Sequence, residues 1–357
     1  MDAIANRGFE SNPAGPPRWL RACMALVLSV WGATGFAQAP AGAEAADLDA
    51  RVRALRAANA AVVGVKTIAV EDARSIETLG RKRQGSGVVI DADGLVLTIG
   101  YLILEAEQVQ LVTDDDRVIP GRVVGYDVAT GFGLVQALAP MRIEPVPLGQ
   151  SAQVREDEPL MIASGGEIGA VSVARLVSRR PFAGYWEYHI EGALFTSPPR
   201  GDHSGAGLFN GRGELLGVGS LIVNYARGDN QPRLPGNMFV PIDLLRPVFD
   251  ELKRSGTTAA SRRAWIGINC AEDEGQVKIL RVNDDSPADV AGLQKGDRIL
   301  RIDGTAVTAL GQLWQTLWRG GAPEREITLE IQRENKTETL KVFSVDRAKT
   351  LKRAQGV

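Results

Sequence analysis

Histidine is almost absent from this chain of 357 residues, in which His189 and His203 are the only two. A serine or cysteine nucleophile needs an adjacent base, usually an imidazole, to take its proton. Only these two positions could supply that imidazole. The sequence also contains no cluster of metal-ligating residues and no phosphate-binding loop, so it predicts neither a metal nor another cofactor.

Cysteine is equally scarce, with Cys23 near the N-terminus and Cys270 far downstream. Cys23 lies in a segment that we expect to be removed, so the mature chain would hold one cysteine and no internal disulfide. No histidine lies close to Cys270 in the sequence to lower the pKa of its thiol. Cys270 is therefore predicted to be a small buried residue and not a nucleophile.

The chain has no excess of either charge, because 41 Lys and Arg nearly balance 43 Asp and Glu, for a formal net charge of −2. No long basic stripe interleaved with aromatic residues is present, which argues against a nucleic-acid-binding protein. Hydrophobic residues make up 44% of the chain. A chain of this length suffices for roughly two or three globular cores of ordinary size.

Long hydrophobic runs are lacking too, since the apolar stretch at 22–33 is shorter than the ~20 residues of a membrane-spanning helix. Arg18 and Arg21 precede this stretch, and small residues around Ala37 follow it. This order is typical of a signal peptide, so 1–37 is predicted to be one, with cleavage after Ala37 and export to a periplasmic space. Retention of the segment as a membrane anchor is the alternative.

The rest of the pattern divides the mature chain into successive units. In 38–60, Leu48, Val52 and Leu55 recur at helical spacing and predict an N-terminal helical segment. Short β-branched runs separated by Gly, Asp and Pro turns fill 61–254 and favour a barrel or sandwich of β-strands. The units that follow are a small polar linker at 255–263, a mixed strand and helix unit at 264–345, and a basic tail at 346–357.

Several motifs of the β region match one family. Residues 85–91 (GSGVVID) and 94–98 (GLVLT) predict a hairpin that ends shortly before Tyr101, and 127–134 (DVATGFGL) and 202–209 (DHSGAGLF) form turns. Together these stretches resemble the HtrA/DegP family of exported trypsin-like proteases, in which a double β-barrel is followed by one or more PDZ domains. The resemblance covers about 62–345.

The resemblance implies a catalytic triad whose three positions can be located in this chain. The serine is Ser204, the histidine position is taken by Tyr101, and the aspartate position is taken by Gly131. A phenol with a pKa near ~10 is a weak base at neutral pH. Glycine has no carboxylate to orient a base. Ser204 is therefore predicted to be a retained nucleophile position that is no longer functional.

Other residues near the serine weigh against acyl transfer. The family has glycine where this chain has Asp202, and that glycine lends its backbone N–H to the oxyanion hole. The negative charge of Asp202 would oppose the developing oxyanion. We expect Asp127 to cap its own turn, His203 to be a solvated loop residue, and His189 to be a structural residue of a strand.

An active trypsin-like serine endopeptidase that uses Ser204 with a non-standard base stays open as the alternative. A lysine base has no candidate close in sequence, because no lysine occurs between Lys82 and Lys253. Cleavage activity that disappears in Ser204→Ala would establish this alternative. In a third interpretation, the barrel serves only as a platform for assembly.

The unit at 264–345 carries the motif of a peptide-binding loop. Residues 264–268 (AWIGI) match the loop and strand that open the carboxylate site of the family's PDZ domains, and 285–293 (DSPADVAGL) match a short helix capped by Ser286. Such a loop holds a peptide's terminal carboxylate while the strand pairs with the peptide. The residues expected to bind the peptide are Trp265, Ile266, Gly267 and Ile268.

A helix is predicted from Leu310 to Leu317, and this helix would form the other wall of the groove. We expect Leu313 and Leu317 to face the groove, which would then favour hydrophobic C-termini. The predicted fold is mostly β, a trypsin-like double β-barrel followed by an α+β PDZ domain. The resemblance then implies an exported pseudoprotease that binds peptide C-termini or unfolded protein segments, forms a homotrimer, and acts as a regulator or scaffold in envelope protein quality control.

Overall fold

The computed structural model describes residues 41–167 and 169–352. The predicted signal peptide, 1–37, and the end of the predicted tail lie outside the described residues. An N-terminal helix, α1, spans Ala41–Ala60 and contains the predicted helical stretch. Its Leu55 is buried in the same hydrophobic core as the first barrel, whereas Leu48 is exposed.

The first barrel is closed and has the strand order β1-β2-β3-β6-β5-β4. Its antiparallel strands bury apolar side chains such as Leu97 and Phe132 in the interior. A short helix, α2, at Ile76–Leu79 interrupts the connection from β1 to β2. The strands are β1 Val62–Ala69, β2 Lys82–Asp91, β3 Leu95–Ile99, β4 Ala106–Val112, β5 Val118–Tyr126 and β6 Phe132–Ala137.

The second barrel is also closed, with the strand order β10-β11-β12-β9-β8-β7. The hairpin of β8 and β9 is the longest in this barrel, and its tip at 184–188 extends to the C-terminal unit. The strands are β7 Pro159–Ala163, β8 Val171–Ala183, β9 His189–Ser197, β10 Gly207–Phe209, β11 Leu215–Val223 and β12 Gly236–Pro241.

The segment between the barrels and the C-terminal unit is held against the first barrel. Helix α3, Phe249–Ser255, ends at Gly256, whose left-handed conformation stops it. The Gly256 carbonyl accepts a hydrogen bond of 3.1 Å from the Tyr126 N–H. Thr258 and Ser261 are buried. The predicted linker is therefore an ordered part of the fold.

The C-terminal unit packs two helices on a sheet of order β14-β15-β16-β18-β19, in which β14 is an edge strand. Apolar residues of α5, above all Trp314, are buried beneath this sheet. The strands are β13 Ala264–Trp265, β14 Ile268–Asp273, β15 Gln276–Val282, β16 Arg298–Ile302, β17 Thr305–Ala306, β18 Glu326–Arg333, β19 Lys336–Phe343 and β20 Val345–Asp346, and the helices are α4 Pro287–Val290 and α5 Leu310–Arg319. Two closed barrels followed by this unit confirm the predicted fold class.

Candidate functional site

The serine loop runs between β9 and β10 and places Ser204 beside the first barrel. The Ser204 carbonyl accepts a hydrogen bond of 2.8 Å from the N–H of Ser86 on β2. The next residue, Gly205, has a φ of +75°, and a Cβ there would lie 1.9 Å from the Ser86 oxygen. Only glycine fits this turn, so the position of Ser204 is fixed by backbone contact between the barrels.

Tyr101 is the side chain that the structure places against Ser204. It follows β3 in a turn, and its hydroxyl oxygen lies 2.7 Å from Ser204 Oγ and 2.8 Å from the carbonyl oxygen of Ser220. A phenol has one proton, and a carbonyl only accepts. When that proton is donated to Ser220, the Ser204 hydroxyl can only donate to the phenol oxygen.

The surroundings of Tyr101 move the pKa of its hydroxyl further from neutral pH than the pKa of an ordinary tyrosine. Burial raises the pKa of its hydroxyl from 10.0 to about 12, and the hydrogen bond with Ser204 offsets this only in part. A general base works best when its pKa lies near the working pH. A phenol with this pKa is protonated at neutral pH, which is not the form that a general base needs.

The space at Gly131, where the family resemblance expects a carboxylate, is filled by a neighbour. Gly131 has a φ of +82°, and a Cβ there would lie 2.8 Å from the hydroxyl oxygen of Tyr188. Tyr188 is buried and donates a hydrogen bond of 2.9 Å to the Thr130 carbonyl. A larger side chain at 131 would have to displace this tyrosine.

Asp127 is the carboxylate nearest to that position in sequence, and its role is structural. It is fully buried and accepts hydrogen bonds from the N–H of Thr130 at 3.0 Å and from the hydroxyl of Thr258 at 2.6 Å. The hydroxyl of Ser261 donates to the same carboxylate. Asp127 thus caps its own turn, as the sequence predicts, and also anchors the segment before the C-terminal unit.

The negative charge of Asp202 is paired with Arg200, a residue that was not among those predicted from the sequence. The Arg200 Nε lies 2.9 Å from Asp202 Oδ1, and the Ser164 hydroxyl donates to the other oxygen. Burial alone would raise the pKa of Asp202, but these two partners outweigh it and hold the pKa below 3.8. In the sequence, only the closeness of Arg200 to Asp202, two positions apart, indicated that they could pair.

The hydrogen bonds of both histidines go to groups other than Ser204. Nδ1 of His203 lies 3.2 Å from the carbonyl oxygen of Arg200, in its own turn, and the residue is half-buried and not fully solvated. Burial lowers the pKa of His203, and neighbouring carbonyls counter this only in part. His189 lies on β9, where its Nε2 is 2.8 Å from Glu191 and 3.1 Å from the amide nitrogen of Gln315.

The predicted peptide-binding loop directs three amide groups to one point. The N–H nitrogens of Ile266, Gly267 and Ile268 lie 3.2, 2.9 and 3.5 Å from Oε1 of Glu187. Gly267 has a φ of +85°, and a Cβ there would lie 2.3 Å from the Cβ of Ser286. Amides that converge in this way form a binding site for a carboxylate.

The other residues predicted to contact a peptide are buried. Trp265 pairs with Val345 of β20, and the guanidinium carbon of Arg347 lies 5.0 Å from its ring centre. Leu313 and Leu317 lie in the core of the C-terminal unit. A role in peptide contact for these three residues stays a prediction. Trp314 is buried as well and donates from Nε1 to the Gly184 carbonyl at 2.9 Å.

A cavity of about 560 Å³ lies beside β9 and α5 and is lined in part by His189, Arg263 and Gln315. None of its lining residues belongs to the loop that holds Ser204. Within 41–167 and 169–352, no group of three or more His, Cys, Asp and Glu residues could hold a metal ion. Over the same residues, no helix has the length and apolar character needed to span a membrane.

Two family models match the chain, one to each part of this architecture. The model described as a trypsin-like peptidase domain matches residues 85–218, and the PDZ domain model matches residues 264–343. The first match contains Tyr101, Gly131 and Ser204. The second contains the loop with the three converging amides.

Curated relatives cover most of this chain. A protein of Pseudomonas fulva described as "Probable periplasmic serine endoprotease DegP-like" is 30% identical over 288 residues, which are 74% of this chain and 57% of that protein. A protein of Marinomonas sp. with the same description is 28% identical over 280 residues, 73% of this chain and 57% of that protein. The chain thus spans 57% of the length of these two relatives.

Solved structures have the same fold. The HtrA-type protease AlgW with a decapeptide matches with a TM-score of 0.52 and 19% identity, covering 83% of this chain and 98% of that chain. A serine endoprotease from Yersinia pestis matches with a TM-score of 0.51 and 21% identity, covering 83% and 97%. Identities this low show only the fold. The two family models show that this chain carries a trypsin-like peptidase domain followed by a PDZ domain, and its curated relatives are described as DegP-like serine endoproteases.

Proposed function

We propose that this protein is an exported HtrA-like pseudoprotease that binds peptides or unfolded protein segments through its PDZ domain. The observation that carries the proposal is the Tyr101 hydroxyl, 2.7 Å from Ser204 Oγ, where a protease needs a base. A pKa of about 12 keeps this group protonated. In subtilisin, loss of the histidine alone lowers turnover by about 10⁶-fold, so a retained serine is weak support for activity.

The position of Gly131 supports the same proposal. Even if another base approached Ser204, the residue at 131 provides no carboxylate to orient it, and Tyr188 fills the adjacent space. The binding function rests on the amides of Ile266, Gly267 and Ile268, which converge as a carboxylate ligand requires. A protein that binds without cleaving would act as a regulator or scaffold in the periplasm, and the family resemblance implies that it does so as a homotrimer.

The loss of proteolysis is tested on the purified mature protein with a fluorophosphonate probe and fluorescein-labelled unfolded casein. We expect Ser204 to remain unlabelled and casein to stay intact, because no group near Ser204 can generate the alkoxide. Trypsin serves as the active reference, and Ser204→Ala serves as the matched control. Both the chain and its Ser204→Ala variant should give the same background signal.

Labelling or cleavage that is present in the natural chain and lost in Ser204→Ala would refute the pseudoprotease proposal. That result would instead establish the alternative, an active serine endopeptidase with a non-standard base. The Arg200 and Asp202 pair would then need a new interpretation, since Asp202 is charged at neutral pH.

A further inference from the structure

The tip of the β8–β9 hairpin lies in the place where a PDZ domain binds its peptide. The Glu187 carboxylate receives the three amides of the 266–268 loop. The carbonyl oxygen of Tyr185 accepts a hydrogen bond of 2.6 Å from the N–H of Cys270 on β14. Gly184 accepts from Trp314 of α5 at 2.9 Å. The tip therefore touches the loop, the edge strand and the helix of the groove.

These contacts lie in the order expected of a peptide added at the sheet edge. The Tyr185 carbonyl accepts from the N–H of Cys270, and the side chain of Glu187, two residues further along the hairpin, reaches the N–H of Ile268, two residues back along β14. Strand β14 is the edge of its sheet, and within 41–167 and 169–352 no strand pairs with it on that side. A peptide that binds by strand addition, with its carboxylate in the loop, uses the same groups in the same order.

The hairpin tip is held in shape by its own contacts. The N–H of Gly184 donates to the Tyr188 carbonyl at 2.9 Å and closes the turn. The ring of Trp186 stacks on Tyr188 with centroids 5.5 Å apart and an angle of 10°. Tyr185 is 56% exposed, and the group that contacts β14 is its backbone carbonyl. A preformed turn loses little conformational entropy when it docks.

We propose that residues 184–187 are an internal ligand of the PDZ groove, with the Glu187 carboxylate in the place of a peptide's C-terminal carboxylate. A peptide with a free hydrophobic C-terminus therefore binds only when it displaces the hairpin. This inference rests on the proposed peptide-binding function of the same site. In the resting protein the groove is closed, and the group that competes with a peptide, the Glu187 carboxylate, belongs to the peptidase domain.

The test compares the mature protein with Glu187→Ala and Glu187→Gln, and uses Glu156→Ala as a matched control because Glu156 is an exposed carboxylate of the same barrel. Hydrogen exchange is followed at the amides of Ile266, Gly267 and Ile268. We expect these amides to be protected in the natural chain and in Glu156→Ala, and to exchange faster in Glu187→Ala. Glu187→Gln keeps the side-chain length, so it separates loss of charge from loss of packing.

Peptide binding is measured by fluorescence anisotropy with a fluorescein-labelled decapeptide that ends in Leu-Val-Val with a free carboxylate. If the groove is open in about a tenth of the molecules, release of the hairpin in Glu187→Ala tightens binding about tenfold. For the same peptide with a C-terminal amide, we expect Glu187→Ala and the natural chain to have equal affinity, because the three amides of the loop bind a carboxylate.

Unchanged exchange at all three amides in Glu187→Ala would overturn the inference. Equal peptide affinity for the natural chain and Glu187→Ala, both binding measurably, would overturn it as well. If the amides are released but neither protein binds the peptide, the hairpin is still a ligand of the loop, and the proposed binding of hydrophobic C-termini is what fails. Unaltered exchange in β2 and β11 confirms that the variants are folded.

Discussion

At the scale of single residues, the Ser204 hydroxyl is hydrogen-bonded to the Tyr101 phenol, which is itself bonded to the Ser220 carbonyl. Ser220 lies at a register shift between Gly219 and Leu221, where it has no partner residue on β12. The Tyr101 hydroxyl provides the missing donor for its carbonyl. Tyr101 therefore contributes to the packing of the two barrels in the position where the family resemblance expects a catalytic base.

Substitution of Gly131 tests whether Tyr188 fills the space of the missing carboxylate. In Gly131→Ala the new Cβ would lie 2.8 Å from the Tyr188 hydroxyl, whereas in Gly192→Ala, with a φ of +62°, it would meet nothing closer than 4.0 Å. Both variants carry the backbone cost of a positive φ. We expect Gly131→Ala to lose about 1–3 kcal/mol more unfolding free energy than Gly192→Ala in urea denaturation, because only it is overpacked. Equal losses would show that the site can accept a side chain.

At the scale of elements, the hairpin tip and the PDZ groove form a contact that responds to pH. Burial raises the pKa of the Glu187 carboxyl from 4.5 to about 7, against the effects of Arg347 and of the three loop amides. The Cys270 thiol of β14 also interacts with Glu187, and burial raises the pKa of this thiol, so it stays neutral. The docked hairpin therefore binds a proton more tightly than the released one.

The sign of this shift sets the direction of the pH effect. The stabilisation of the docked hairpin by the Glu187 proton is complete below pH 4.5, and it is lost as the pH rises through about 7. A peptide carboxylate stays ionised across that range. We expect the Leu-Val-Val decapeptide to bind more tightly at pH 8 than at pH 5, as measured by anisotropy. Glu187→Gln should show no such dependence, and a natural chain that binds equally at both pH values would contradict the prediction.

The elements that could be predicted from the sequence are those that depend on neighbours in the chain. Short β-branched runs between Gly, Asp and Pro turns predicted the strands, and the spacing from Leu310 to Leu317 predicted α5. The motifs assigned Ser204 and Tyr101 to two positions of one triad, and their hydroxyl oxygens lie 2.7 Å apart although the residues are 103 positions apart in the chain. The contact of Glu187 with Gly267 spans 80 positions and has no local pattern. Only the aromatic-rich stretch 185–188 (YWEY) marks the hairpin tip as unusual.

At the scale of the whole molecule, the two domains are joined by buried polar groups as well as by the chain. Asp127 of the first barrel binds the hydroxyl groups of Thr258 and Ser261 in the connecting segment. Arg281 of β15 pairs with Glu77 of α2 at 3.0 Å, although both are exposed and this pair contributes little. The buried network around Asp127 is therefore the stronger connection.

Removal of the Asp127 carboxylate tests that connection. In Asp127→Ala the hydroxyl groups of Thr258 and Ser261 lose their buried acceptor. We expect the free energy of unfolding in urea to fall by at least about 2 kcal/mol, since each unsatisfied buried donor costs about 1–3 kcal/mol. The exposed Asp93→Ala is the matched control and should change stability by about 0.5 kcal/mol or less. A similar small change in both variants would show that the connecting segment is held by other contacts.

The continuity of the chain on both sides of Glu187 fixes the strength of the proposed internal competitor. A free peptide competes in proportion to its concentration, whereas the tethered hairpin competes at an effective concentration that does not change. The apparent affinity for a peptide is then lowered by the fraction of molecules in which the groove is open. The stability of the hairpin contact would therefore set the abundance of exposed C-termini at which the groove becomes half-occupied.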